Sequence, residues 1–247
     1  MRRGIISWNG ERSDQYGIYV EKYPNFQKPL RKFDKYTVPG RNGDIIMMQD
    51  AWENVEQKYD IFAGSGEKHS VPDSFSSVAD WLFSPNGYCE LWDDFDPAHF
   101  RLAYVSGQVD VNSLSIGRVA RATVTFNCKP QRFLMSGKEP VNVTAAPFTI
   151  YNQTAFAAKP LVFVERSASG DGTVSVNGTI FTVTGLPQNG LYIDCEELNC
   201  FDINGNNMNN IVSSNTNEFA TLRPGQNSIG FTGNVASVTI TPRWFEL

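Results

Sequence analysis

Histidine occurs only twice in the 247 residues, as His69 and His99, and cysteine four times, as Cys89, Cys128, Cys195 and Cys200. No two cysteines stand at C-x-x-C spacing, so a zinc site has no ligand set to build on. Runs of Lys and Arg are missing and the formal charge is −5. Dedicated nucleic-acid binders draw much of their affinity from cations that neutralise phosphates, so that class is disfavoured. Long apolar runs are missing too. After Arg2 and Arg3 only Ile5 and Ile6 precede polar residues, too few for a signal-peptide core, and nothing approaches the ~20 residues that cross a bilayer. The expectation is a soluble, cytoplasmically made protein with no membrane partner. Without an export signal, disulfides are disfavoured, and the N-x-[ST] triplets headed by Asn142, Asn152 and Asn177 are accidents of composition.

What is present is enough to fold. Hydrophobic residues make up 41% and charged residues 19%, a balance that can bury cores and is too apolar for disorder. The length fits one large all-β domain or two ordinary ones of ~100–200 residues. Residues 1–133 carry 16 Lys/Arg and 17 Asp/Glu, and residues 134–247 carry 5 and 9. The second part is also crowded with Asn, Thr, Ser and Gly, most densely over 199–217. Between them, residues 135–140 read MSGKEP, small, polar and closed by proline like a linker. This places one domain at 1–135 and another at 136–247, with no internal repeat between them.

Ala122, Val124, Phe126 and Cys128 alternate with Arg121, Thr123, Thr125 and Asn127, the period of a strand with one buried face. Cys128 on that beat reads as a small buried hydrophobe. Further strands are expected at 16–20, 59–63, 88–92 and 101–111. One helix is expected, started by Pro72, Asp73 and Ser74, carried by Phe75, Val78, Trp81 and Leu82, and stopped by Pro85, Asn86 and Gly87. In the second part, Val174 and Val176 lead into Asn177-Gly178, after which Ile180, Phe181 and Val183 follow. Asn-Gly suits a tight hairpin turn, because both central residues take positive φ. Strands are also expected at 161–165, 191–195, 228–231 and 236–241, so the fold class is mostly β, with an antiparallel sandwich in the second part.

Catalysis needs a nucleophile with a base, a metal cluster or paired carboxylates, and each candidate reads better as structure. Asp93, Asp94 and Asp96, with Glu90 nearby, sit in a turn-forming WDDFDP segment, and Asp194, Glu196 and Glu197 follow a strand. Asp202, Asn204 and Asn206 open like a calcium loop, but the glycine is misplaced at Gly205 and no Glu closes it. Gly64 and Gly66 flank Ser65 without the third glycine of a phosphate cradle. His69 and His99 have no nucleophile nearby in sequence. Trp8, Trp52, Trp81, Trp92 and Trp244 are dispersed, as core residues are. No catalytic, cofactor-binding or metal residue is therefore assigned, and the expectation is a protein that is not an enzyme.

An ordered series of segments carries the remaining signal: WNGERSDQYGIYV at 8–20, VPGRNGD at 38–44, DWL at 80–82, LWDDFDP at 91–97 and VTFNCKP at 124–130. It continues with YIDC at 192–195, LRPGQNSI at 222–229 and VTITPRW at 238–244. In this order the chain resembles the distal tail proteins of siphophages that infect Gram-positive bacteria. The resemblance implies a β-sandwich-type first domain with an added helix that forms a hexameric ring, and a galectin-like or jelly-roll second domain outside it. It implies a structural hub at the virion tail tip, assembled in the host cytoplasm. Its partners would be the tail tube, the tape-measure protein, the tail-associated fibre or lysin of the baseplate, and receptor-binding proteins, with genomic DNA passing through ungripped. Ring closure requires a head-to-tail interface. Part of it is expected at Pro39, Gly40, Arg41 and Gly43 and the polar stretch after them, where Arg favours interfaces and glycine permits close approach. The alternative is a carbohydrate-binding adhesion module that recognises host cell-wall sugars.

Overall fold

The alternation over 121–128 belongs to one long strand, Val119–Leu134, whose Val124, Phe126 and Cys128 are buried. The computed structural model describes residues 4–64, 71–110, 112–115 and 119–247. These divide into two compact units, one of residues 1–132 with Leu247 and one of residues 133–246.

In the first unit the strands run Glu11–Arg12, Ile6–Trp8, Cys89–Asp93, His99–Val105, Val119–Leu134, Val55–Gly64 and Ile18–Val20 across one sheet. Gly4, just ahead of the second of these, bridges Val20 on the last, so the sheet curls round and joins itself. The closure depends on glycine at residue 4, because a Cβ there would collide with the Phe95 ring. Inside the curl, Trp8 and Tyr59 pack on Phe126 with centroids 5.0 and 6.0 Å away. The helix Val71–Phe83 buries Val78, Trp81 and Leu82, and the Trp81 indole N–H donates to the Trp8 carbonyl at 3.2 Å. The side chains of 71–76, and with them the expected start residues Pro72, Asp73 and Ser74, lie outside the described residues.

Two expected strands differ in extent. Over 16–20, the chain first makes a 3-10 turn, Ser13–Tyr16, and Gly17 at φ +68° turns it into Ile18–Val20. The strand expected at 101–111 is His99–Val105, and Val111 lies outside the described residues, as do Ser65, Gly66 and His69.

The second unit is a sandwich of two antiparallel five-stranded sheets. One orders Val141–Val143, Val235–Thr241, Leu161–Arg166, Leu191–Asp194 and Asn199–Asp202, and the other Phe148–Asn152, Gly225–Gly233, Gly172–Val176, Thr179–Val183 and Val212–Ser214. Val162, Ile193 and Ile240 from one sheet and Val174, Phe181 and Ile229 from the other share one core, each such burial contributing about 1.5–3 kcal/mol. The Asn177-Gly178 turn has φ of +51° and +88°, as a two-residue hairpin turn requires. Residues 135–140, read as a linker, hold a 3-10 turn, Met135–Lys138. Gly137 in it is buried, and a Cβ would lie 2.5 Å from the Trp244 nitrogen. Mostly β, with one α-helix among the described residues, is thus the observed class.

Candidate functional site

The strands Arg31–Tyr36 and Ile45–Trp52 form a two-stranded sheet of their own. Tyr36 faces Ile45, Lys35 faces Ile46, Asp34 faces Met47 and Phe33 faces Met48, with a register shift between Phe33 and Arg31. Successive residues of a strand point to opposite faces, so Ile46 and Met48 lie on one face and Ile45 and Met47 on the other. Both faces are open: Ile46, Met47 and Met48 are 59%, 58% and 60% exposed. Phe33 and Tyr36 are exposed with them. A hairpin that stands alone in water is marginal, and contiguous exposed apolar surface of this kind marks interaction sites in soluble proteins.

Polar contacts hold the hairpin's shape. Arg31 pairs with Asp50 at 2.7 Å and donates from Nε to the Gln49 carbonyl at 2.9 Å. Gln49 donates to Asp34 at 2.9 Å. At the loop, Asp44 accepts from the Thr37 hydroxyl and pairs with Lys35, both at 2.8 Å. Lys35 first, then Thr37, hold the Asp44 carboxyl below its ordinary value. The four residues singled out by sequence, Pro39, Gly40, Arg41 and Gly43, all fall in this loop, outside both strands. Gly40 and Gly43 take φ of +79° and +80°, and the Arg41 N–H donates to the Val38 carbonyl at 3.1 Å. The Arg41 side chain is exposed, and among the described residues its guanidinium has no hydrogen-bond or ion-pair partner. The segment after the loop, expected to be polar, begins instead with four consecutive apolar residues, Ile45 to Met48. Turn-forming residues make the loop legible in the sequence, whereas the apolar strand beside it carries no such signal.

The acidic clusters hold turns. Asp93 Oδ1 accepts the Phe95 and Asp96 N–H groups, both at 3.0 Å, and Oδ2 accepts the Tyr59 hydroxyl at 2.6 Å. Burial raises the Asp93 carboxyl above its ordinary value despite these donors. Asp194 accepts the Glu196 and Glu197 N–H groups and a two-pronged contact from Arg243, at 2.6 and 2.8 Å. Asp202 accepts the Asn204 and Asn206 N–H groups, so its oxygens close its own loop. Among the described residues no group of three or more His, Cys, Asp or Glu could hold a metal ion. The four cysteines are free, and burial pushes the thiols of Cys128 and Cys195 up to about 12 and of Cys200 to about 11. Nucleophilic thiol chemistry needs the opposite shift.

Asn152 and Asn177, set aside as accidents of composition, are internal hydrogen-bond centres. Asn152 donates to the Phe156 and Leu222 carbonyls, and Asn177 to the Thr221 carbonyl and Asn227. Their partners lie up to 70 residues away, so no local pattern reveals them.

A curled sheet carrying a helix and a bare hairpin, followed by a two-sheet sandwich, is a fold shared with solved structures from phage adsorption apparatus and baseplates. The chain is similar to the crystal structure of SPP1 Dit (gp 19.1), described as a paradigm of the hub adsorption apparatus in phages infecting Gram-positive hosts. The TM-score is 0.72 at 14% identity, over 100% of both chains. It is also similar to a chain of the phage P2 baseplate in its activated conformation with Ca, at TM-score 0.55 and 10% identity, over 97% of this chain and 98% of that one. The same baseplate with Sr matches at 0.55 and 10%, over 97% of each. No protein-family model matches the sequence, and no curated protein does.

Proposed function

We propose that the protein is a distal tail hub, joining head to tail in six copies to form a ring at the tip of a siphophage tail. The observation that carries this reading is the hairpin of 31–52, whose two apolar faces find no cover among the described residues. Head-to-tail contacts pair two different surfaces and close when the rotation between copies divides a full turn. A projecting arm on one copy and a receiving surface on the next supply that asymmetry. The likeness in fold to a phage hub and a baseplate component supports the setting. In it the ring joins the tail tube to the tail-associated fibre or lysin, surrounds the end of the tape-measure protein, and carries receptor-binding proteins. The role is structural and asks for no bond-making chemistry.

The adhesion alternative needs aromatic faces turned to solvent, on which sugar rings can stack. Phe163, Tyr192 and Phe201 form a row across three strands, but the rings pack on one another, at 4.7 Å and, stacked, at 5.2 Å. Scaffolding is the better use of this surface. Electron micrographs of the purified chain test the proposal. Six-fold annuli, with a solution mass near six times 27.6 kDa, are expected. A monomer at every concentration and ionic strength would overturn the reading.

A further inference from the structure

Within the first unit a cleft of about 370 Å³ opens between the turn that follows Ile6–Trp8 and one face of the helix Val71–Phe83. Glu11 and Tyr16 line it from one side, and Ser77, Asp80 and Trp81 from the other. The last three stand at the three- and four-residue spacing that shares a helix face. Tyr16 and Trp81 stack with centroids 5.2 Å apart, and the bond from the Trp81 indole to the Trp8 carbonyl fixes that aromatic wall. Among the described residues no Lys, Arg or His lines the cleft. The Glu11 carboxylate accepts the Tyr16 hydroxyl. The Asp80 carboxylate is exposed, and among the described residues it has neither a hydrogen-bond donor nor an ion-pair partner.

Carboxylates beside aromatic rings, with no cation of their own, suit a guanidinium, which forks onto carboxylates and stacks on rings. A second cleft of the unit, lined by Glu21, Asp60 and Arg121, offers no such opening, because Arg121 holds Glu21 and Lys22 holds Asp60. The matching cation stands in the hairpin loop. Arg12, Arg31 and Arg121 pair with Asp14, Asp50 and Glu21, whereas Arg41 is exposed and, among the described residues, unpaired. Donor and receiver thus lie on separate elements of one unit and do not meet there. Identical copies that join head to tail need two such different and complementary surfaces.

We propose that Arg41 of one copy docks into the cleft of Glu11, Asp80 and Trp81 on the next copy of this chain. This names the receiving surface of the ring and rests on the ring reading. The apolar strand Ile45–Trp52 beside the loop supplies contact area, and the charge pair fixes the register of approach. Four forms of the full chain test it: the unaltered protein, Arg41→Asp, Asp80→Arg, and the two changes together. Both positions are exposed, so all four are expected to share one far-ultraviolet circular dichroism spectrum. Each single change sets like charges against each other and is expected to raise the concentration at which rings dissociate, read by light scattering, by about tenfold or more. The double variant is expected to recover the rings. So is an equimolar mixture of the two single variants, because every contact of an alternating ring then pairs opposite charges. Rings unmoved by either single change, or no recovery in the double variant and the mixture, would overturn the pairing while leaving six-copy assembly standing. Absence of rings from the unaltered protein at every concentration would instead overturn the assembly on which the pairing rests.

Discussion

Arg243 combines two properties that rarely coincide: a two-pronged contact to a buried carboxylate and a left-handed backbone, φ +58°. A residue with a Cβ pays about 1–2 kcal/mol for that conformation, and the pair with Asp194 holds it there. Burial alone would raise the Asp194 carboxyl, but Arg243 and the Glu197 and Glu196 N–H groups outweigh it and hold the carboxyl below its ordinary value. Removing one partner of such a pair strands the other, so Arg243→Ala is expected to destabilise the second unit by about 3 kcal/mol. Arg243→Gly loses the same pair but sheds the strain, and is expected to lose about 1 kcal/mol less than the alanine variant. Urea unfolding of the three proteins checks the order. Because the folded value of Asp194 is depressed, its contribution is complete above the ordinary carboxylate range and vanishes as pH falls through the folded value. Acid unfolding of Asp194→Asn should therefore lack that loss, and a pH profile parallel to the unaltered protein's would refute the assignment.

The elements that could be read in the sequence are those whose two faces meet different surroundings. Residues 121–128 and 238–241 alternate because one face of each strand is buried and the other is not, and the helix kept its stripe for the same reason; ahead of the second run the expected beat is reversed, with Ala236 exposed and Ser237 buried. The hairpin breaks that condition. Ile45, Ile46, Met47 and Met48 give no period because neither face is covered by the described residues, so the pattern is invisible where the interface is proposed. Loop chemistry exposed the neighbouring Pro39, Gly40, Arg41 and Gly43, through turn-forming residues that signal locally. Residues 135–140, read as a linker, show a similar limit of local pattern. Gly137 is small because it packs against the Arg243 and Trp244 backbone, and small size alone does not distinguish close packing from freedom. The hairpin proposal has a direct test. Ile46→Glu with Met48→Glu charges one face without touching a buried core, so the monomer should keep its far-ultraviolet circular dichroism while the six-copy species disappears. Arg41→Ala is the companion variant, and an unchanged ring would remove Arg41 from the interface and leave the apolar strand as its carrier. Persistence of the ring in the double Glu variant would remove the hairpin itself.

At the scale of the whole molecule, charge decides what a ring of these chains could conduct. Six copies at −5 carry about −30, and phosphates gain affinity only where cations release their counterions. That charge is unevenly placed. Residues 1–133, with 16 cationic and 17 anionic side chains, are nearly neutral, whereas residues 134–247, with 5 and 9, hold most of the excess. If the first unit builds the ring, its wall is close to balanced, and DNA is neither gripped by cations nor opposed by a strongly acidic bore. Several exposed cations of the first unit, though not Arg41, have anionic neighbours close at hand: Lys22 pairs with Asp60 at 2.6 Å, Arg12 with Asp14 at 3.0 Å, and Arg121 with Glu21. A phosphate would have to compete with each carboxylate for its cation. The assembled protein is accordingly expected to retain no double-stranded DNA at about 0.15 M salt, where the screening length is about 8 Å. Any association should appear only at low salt and fall steeply as salt rises. Gel-shift titration across ionic strength checks this. Sub-micromolar retention at physiological salt would mean a cationic surface has been assembled from side chains that are paired in the single chain, and the passive-conduit reading would have to be abandoned.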